Sequence, residues 1–126
     1  MEKFFETASF HIVKPCNMAC RYCYATFNDM KLERQPPIKD VHNILDKLKA
    51  AGLEKITFAG GEPLLYKYLY SALEYSKHLG LVTSIITNGT LLDDEKLEAY
   101  AGIPVDWIGV SIDSVDVQTN RHHGTP

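Results

Sequence analysis

All three cysteines of the chain fall in one short run, Cys16-Asn17-Met18-Ala19-Cys20-Arg21-Tyr22-Cys23. An odd number packed so closely does not suit a disulfide framework; it suits a metal or cluster loop in a reducing compartment. Thiolates are soft ligands for iron or zinc, and gaps of three and two residues let one loop wrap a compact object. Two occupants are open at this point. One is zinc bound by three Cys and one His, with His11 or His42 as the fourth ligand. The other is a cube of four irons. Three thiolates leave one of its irons without a protein ligand, open to bind a substrate or cofactor directly.

A second group of residues could serve the same chemistry. In Gly60-Gly61-Glu62-Pro63 the glycines allow the backbone to approach a ligand closely, and the glutamate supplies a fixed acceptor. Thr87-Asn88-Gly89 has the composition of a turn, and Ser111 and Asp113 are polar residues that could cap or bind.

These residues need elements to position them, and the hydrophobic spacing supplies four strands and three helices. Ser9 to Val13 has the alternation of a strand, with Phe10 and Ile12 on one face and Ser9, His11 and Val13 on the other. Ile38, Val41, Leu45 and Leu48 recur at helical spacing before a stop at Ala51-Gly52. Lys55 to Ala59 is a second strand, with Ile56 and Phe58 on one face and Lys55, Thr57 and Ala59 on the other. A second helix spans about Lys67 to Leu79 and ends at Gly80, followed by a third strand from Val82 to Thr87. Asp93 or Asp94 can cap a third helix that ends near Ala101-Gly102. Val105 to Ile112 is a fourth strand.

Strands alternating with single helices make a parallel α/β sheet. A parallel strand covered by helices on both sides is apolar on both faces, whereas these are apolar on one face and polar or small on the other. A barrel, or an open arc of one, accounts for this. Phe10, Ile12, Ile56, Phe58, Ile108, Val110 and Ile112 are expected under outer helices, and the other set, Lys55 and Thr57 included, lines a wet interior. Every chemistry-bearing run then falls at the C-terminal end of a strand, the edge where parallel α/β folds build their sites.

The chain of 126 residues has one domain's length, and a hydrophobic content of 45% with 23% charged residues suits a packed globular core. A net charge of -3 gives no broad basic face, which argues against a nucleic-acid partner. Charges at Glu2, Lys3 and Glu6, with no long apolar run after them, predict neither a signal peptide nor a membrane partner, and a cytoplasmic address.

Taken together, the cysteine run with an aromatic residue (Tyr22) before its last cysteine, and Gly60-Gly61-Glu62-Pro63 after a strand, resemble the signature of radical S-adenosylmethionine (SAM) enzymes. The resemblance implies a partial (βα) barrel with a [4Fe–4S] cluster on Cys16, Cys20 and Cys23 and SAM on the open iron. It also implies SAM contacts from Tyr22, Gly60, Gly61, Glu62, Pro63, Asn88, Ser111 and Asp113. A closer resemblance lies in Phe10 to Asn17, Ala51 to Pro63 and Ser111 to Asp116, which are similar to viperin and its prokaryotic relatives from about residue 9 to 121. That likeness implies reductive cleavage of SAM to a 5′-deoxyadenosyl radical and removal of hydrogen from the ribose C4′ of a nucleoside triphosphate. Loss of the 3′-hydroxyl as water and a one-electron reduction then give a 3′-deoxy-3′,4′-didehydro nucleotide for antiviral defence.

The implied substrate contacts are Ser9, His11, Lys55 and Thr57, with no protein residue as catalyst, and the implied partner is an external electron donor of flavodoxin or ferredoxin type. The chain departs from the animal pattern at Ser9, where animal viperins have Asn, and in Arg21 to Thr26. It also has His122-His123-Gly124-Thr125 where the family often has an arginine for the SAM carboxylate. The family barrel has six βα units against three and a strand here, so the chain is expected to be the N-terminal part of a larger domain. Rival readings are a radical SAM enzyme acting on a peptide or in cofactor biosynthesis, and a non-catalytic zinc or iron-sulfur module.

Overall fold

The computed structural model describes residues 5–13, 35–112 and 114–123. Strands β1 (Thr7–Val13), β2 (Lys55–Gly60), β3 (Val82–Thr87) and β4 (Trp107–Val110) form one parallel sheet in that order. Between them run helices α1 (Ile38–Ala50), α2 (Leu69–His78) and α3 (Asp94–Gly102), and a helix α4 (Val117–His123) follows β4. The expected parallel α/β architecture is therefore present.

The register explains the two-faced strands. Phe10 pairs with Phe58, Phe58 with Ile85, and Ile85 with Ile108, so one face carries an apolar row across all four strands. Ile56 and Phe58 are fully buried there, and the Phe10 and Phe58 rings lie 6.0 Å apart. Val41 and Leu45 of α1 and Leu69, Ala72 and Leu73 of α2 complete that core. The opposite row, Ser9, Thr57, Ser84 and Trp107, belongs to the other face.

The helices follow local chemistry. In α1, Asp40 in the first turn and Lys47 and Lys49 in the last match the helix dipole. Of the two candidate caps for α3, Asp93 is the one used, its carboxylate accepting from Lys96 N–H at 2.8 Å. Before α2, Pro63–Leu65 forms a separate 3-10 turn, so the second helix starts at Leu69 and not at Lys67. Glu62 caps that turn and Tyr66 leaves it extended.

Three further expectations are corrected. Val13 is not on the face of Ser9 and His11: the β1 register shifts between His11 and Val13, and both Ile12 and Val13 enter the core. Val110 and Ile112 are 43% and 71% exposed instead of lying under helices, because β4 is the outermost described strand and α4 lies exposed without covering them. Strand β4 is also shorter than Val105 to Ile112, since Asp106 turns its carboxylate back to the start of β3. Helix α4 was not anticipated; Asp116 starts it by accepting from the N–H and hydroxyl of Thr119, both at 2.8 Å.

Asp106 joins three elements at the N-terminal edge of the sheet. Its Oδ2 accepts from Lys77 Nζ and Thr83 N–H, each at 2.8 Å. The hydrogen bond from Lys77 and then that from Thr83 hold its carboxyl below the usual carboxylate range. A lowered folded-state pKa contributes stability above the unfolded value, lost as pH falls through the folded one. Thermal melts below about pH 4 are therefore expected to drop faster in wild type than in Asp106→Asn. At neutral pH that variant is expected to be less stable by about 1 kcal/mol, a solvent-screened figure.

Candidate functional site

The C-terminal ends of four parallel strands come to one edge, and the predicted runs among the described residues lie there. Val13 ends β1 immediately before the cysteine-bearing stretch, Gly60-Gly61-Glu62 follows β2, Thr87-Asn88-Gly89 ends β3, and Ser111 follows β4. Cys16, Cys20, Cys23, Tyr22 and Asp113 lie outside the described residues, as do Gly124 and Thr125. The flanks of the cysteine stretch are described. On its N-terminal side, Gly61 N–H donates to Val13 O at 3.0 Å. On its C-terminal side, the Gln35 amide donates to Leu65 O at 2.8 Å and accepts from Lys67 N–H at 3.0 Å, while Tyr66 Oη donates to Pro36 O at 2.8 Å. The cysteine stretch thus leaves and rejoins the described fold against the loop after β2.

Glu62 is fully buried, and its carboxylate is occupied by protein donors. Oε1 accepts from Thr87 Oγ1 at 2.5 Å and from Leu64 N–H at 3.1 Å, and Oε2 accepts from Asn88 N–H at 2.8 Å. Thr87 Oγ1 in turn accepts from Gly89 N–H at 3.1 Å. Asn88 Oδ1 accepts from Thr90 N–H at 3.0 Å and Oγ1 at 2.7 Å, and Ser111 N–H donates to Thr87 O at 2.9 Å. Gly89 has φ 80°, and a Cβ there would lie 2.8 Å from Val110, so the turn closes tightly on β4. Tyr100 of α3 is buried beside this network; burial, then Asp93, then Glu62 push its hydroxyl up to about 12, which keeps it protonated at neutral pH.

Below that edge, on the face away from the helices, lie the predicted substrate residues. Ser9 and His11 are exposed, Lys55 and Thr57 half-buried, and Thr57 Oγ1 is 2.7 Å from Ser84 Oγ. On the same face β3 and β4 present Val82, Ile86 and Trp107, exposed by 41%, 49% and 68%. His42 sits elsewhere: its ring stacks on Tyr75 at 4.0 Å between α1 and α2. Sequence reasoning did not single out Thr87 as the partner of Glu62, nor Gln35. A buried glutamate following two glycines was the one available sign that a donor would have to come from another strand.

Among the described residues no group of three His, Cys, Asp or Glu could hold a metal ion. No helix among them is long and apolar enough to cross a membrane. Three soft thiolates in the stretch that follows Val13, whose carbonyl accepts from Gly61 N–H, have the chemistry to fit an iron-sulfur cluster with one open iron, and Cys16, Cys20 and Cys23 are the residues that would hold it.

A parallel α/β sheet with a glycine-glutamate turn at its C-terminal edge, and in sequence a three-cysteine run directly after β1, has the arrangement expected of a cluster- and SAM-dependent class. The profile of the Radical SAM superfamily matches residues 12–126, and the chain belongs to that superfamily of enzymes. Its cofactors are a [4Fe–4S] cluster and SAM. The chain is similar, at 47% identity over 90% of its length, to an S-adenosylmethionine-dependent nucleotide dehydratase of Lacinutrix mariniflava, of which it spans 25%. It is 36% identical over 91% of its length to a protein of the same name from Flammeovirga pacifica, of which it spans 41%. The crystal structure of Streptococcus suis SuiB bound to S-adenosylmethionine aligns with a TM-score of 0.73 at 25% identity, covering 91% of this chain and 26% of that one. The chain thus spans well under half the length of these relatives.

Proposed function

We propose that the protein dehydrates a nucleoside triphosphate to a 3′-deoxy-3′,4′-didehydro nucleotide in antiviral defence, as the N-terminal part of a larger cytoplasmic domain. Likeness to the nucleotide dehydratases supports this reading. The observation that carries it is the polar face beneath the site edge. Lys55, half-buried, stands one row from the Ser9-Thr57 pair, with His11 on the neighbouring strand. An ammonium beside hydroxyls suits a polyphosphate, because it makes charge-assisted hydrogen bonds to phosphate oxygens.

When bound, the cluster and SAM supply a 5′-deoxyadenosyl radical by reductive cleavage, with electrons from a flavodoxin- or ferredoxin-type donor. The chain's own residues bind and orient. Cys16, Cys20 and Cys23 hold the cluster, while Tyr22, the Gly60 to Pro63 turn, Asn88, Ser111 and Asp113 surround SAM. Ser9, His11, Lys55 and Thr57 seat the nucleotide with C4′ toward the edge. None of them is assigned as a catalytic residue.

The test is anaerobically reconstituted full-length protein with SAM, dithionite and each of the four ribonucleoside triphosphates in turn, read by mass spectrometry. The expected product is a nucleotide lighter by one water, formed in step with 5′-deoxyadenosine. Equal slow 5′-deoxyadenosine formation with every nucleotide would overturn the substrate assignment. In Lys55→Ala the nucleotide KM is expected to rise about ten- to a hundredfold, with SAM affinity unchanged.

A further inference from the structure

The glutamate of the Gly60-Gly61-Glu62-Pro63 turn has the chemistry to bind an ammonium, yet its carboxylate is fully buried and faces three protein donors. Two of these come from the end of β3, the Thr87 hydroxyl and the Asn88 N–H. The Thr87 hydroxyl has a second task. As it donates to Glu62 it accepts from Gly89 N–H, so one carboxylate and one hydroxyl together curl the backbone of residues 87–89. Two independent facts make this a built device. Thr87 is only 2% exposed, so its hydroxyl has no water to fall back on, and Gly89 is held at positive φ against Val110.

Resting on the reading that SAM binds at this edge, we propose that Glu62 and Thr87 are a positioning pair. They lock the turn after β3 to the turn after β2, and the Glu62 carboxylate serves that lock and not the ammonium of SAM. Neither side chain touches SAM; each acts through the backbone of the turns it joins. A buried carboxylate already serving three donors has little left to offer an ammonium.

The pair makes a prediction that direct contact does not. Thr87→Val keeps the shape of the side chain and removes only the hydroxyl, and it is expected to weaken SAM binding to the reconstituted full-length protein about ten- to a hundredfold. Glu62→Gln is expected to do the same, because one end of its amide must turn a donor toward a donor. The double variant is expected to be no worse than either single one, and Thr87→Ser to restore binding. Binding is read by calorimetry and by the change that SAM causes in the electron paramagnetic resonance signal of the reduced cluster. In parallel, amide exchange at Asn88 and Gly89 is expected to accelerate in both single variants without SAM present.

Wild-type SAM affinity in Thr87→Val, or additive losses in the double variant, would overturn the proposal. If wild-type protein takes up no SAM, the site reading itself falls, while unchanged exchange at Asn88 and Gly89 would separately refute the lock.

Discussion

Alanine in place of Gly60 is expected to cost the protein about 2 to 5 kcal/mol and its ability to hold SAM. A Cβ built there would meet the Val13 carbonyl oxygen at 2.3 Å, and the backbone sits at φ 144°, a region that L side chains rarely adopt. The carbonyl cannot simply retreat, because it accepts from Gly61 N–H at 3.0 Å. Relief therefore has to break the contact between β1 and the turn after β2, the point from which the cysteine stretch departs. Denaturant midpoints of Gly60→Ala and Gly102→Ala check this. No atom lies within 4 Å of a Cβ at Gly102, so that variant is expected to match wild type. Equal midpoints for the two would contradict the geometry.

Alanine at Cys16, Cys20 or Cys23, one at a time, is expected to abolish the iron-sulfur absorbance and reduce 5′-deoxyadenosine to background, with the fold intact. The core of the described residues is built from Ile56, Phe58, Leu45, Leu73 and their neighbours, so its stability comes from apolar burial. Far-ultraviolet circular dichroism and iron analysis separate the two effects: Gly60→Ala moves both, the cysteine variants only the second. One zinc per chain and no iron in wild type would instead support the three-Cys, one-His site. His11 and His42 lie on different layers, the first on the open face of β1 and the second stacked on Tyr75, so a single substitution of each would identify the fourth ligand.

What was legible in the sequence was whatever repeats with the period of an element. Ile56 and Phe58 alternate, Val41 and Leu45 recur at helical spacing, and both pairs are buried as expected. Position along the strand also located the site edge, since a parallel sheet sends all its chain exits after strands to one side. The failures share a cause, which is that they depend on partners distant in the chain. Val13 joins the core because β1 shifts register against β2, a fact of pairing and not of pattern. Val110 and Ile112 are exposed because burial requires an element to cover them, and alternation states only which side they take. Thr87 and Glu62 are 25 residues apart, and no local motif announces that a hydroxyl at one strand end serves a carboxylate at another.

The Gln35 and Tyr66 hydrogen bonds to the loop after β2 matter beyond their own few bonds. With Gly61 N–H on Val13 O at the other end, both feet of the cysteine-bearing stretch stand on one short loop. Much of the entropy of bringing those ends together is spent during folding, before iron arrives. Three thiolates on such a stretch would meet a cluster as tethered ligands, at an effective concentration set by the tether and not by diffusion. Loosening either foot, by Gln35→Ala or Tyr66→Phe, is expected to make the chelate more dilute, read as faster loss of iron to a chelator.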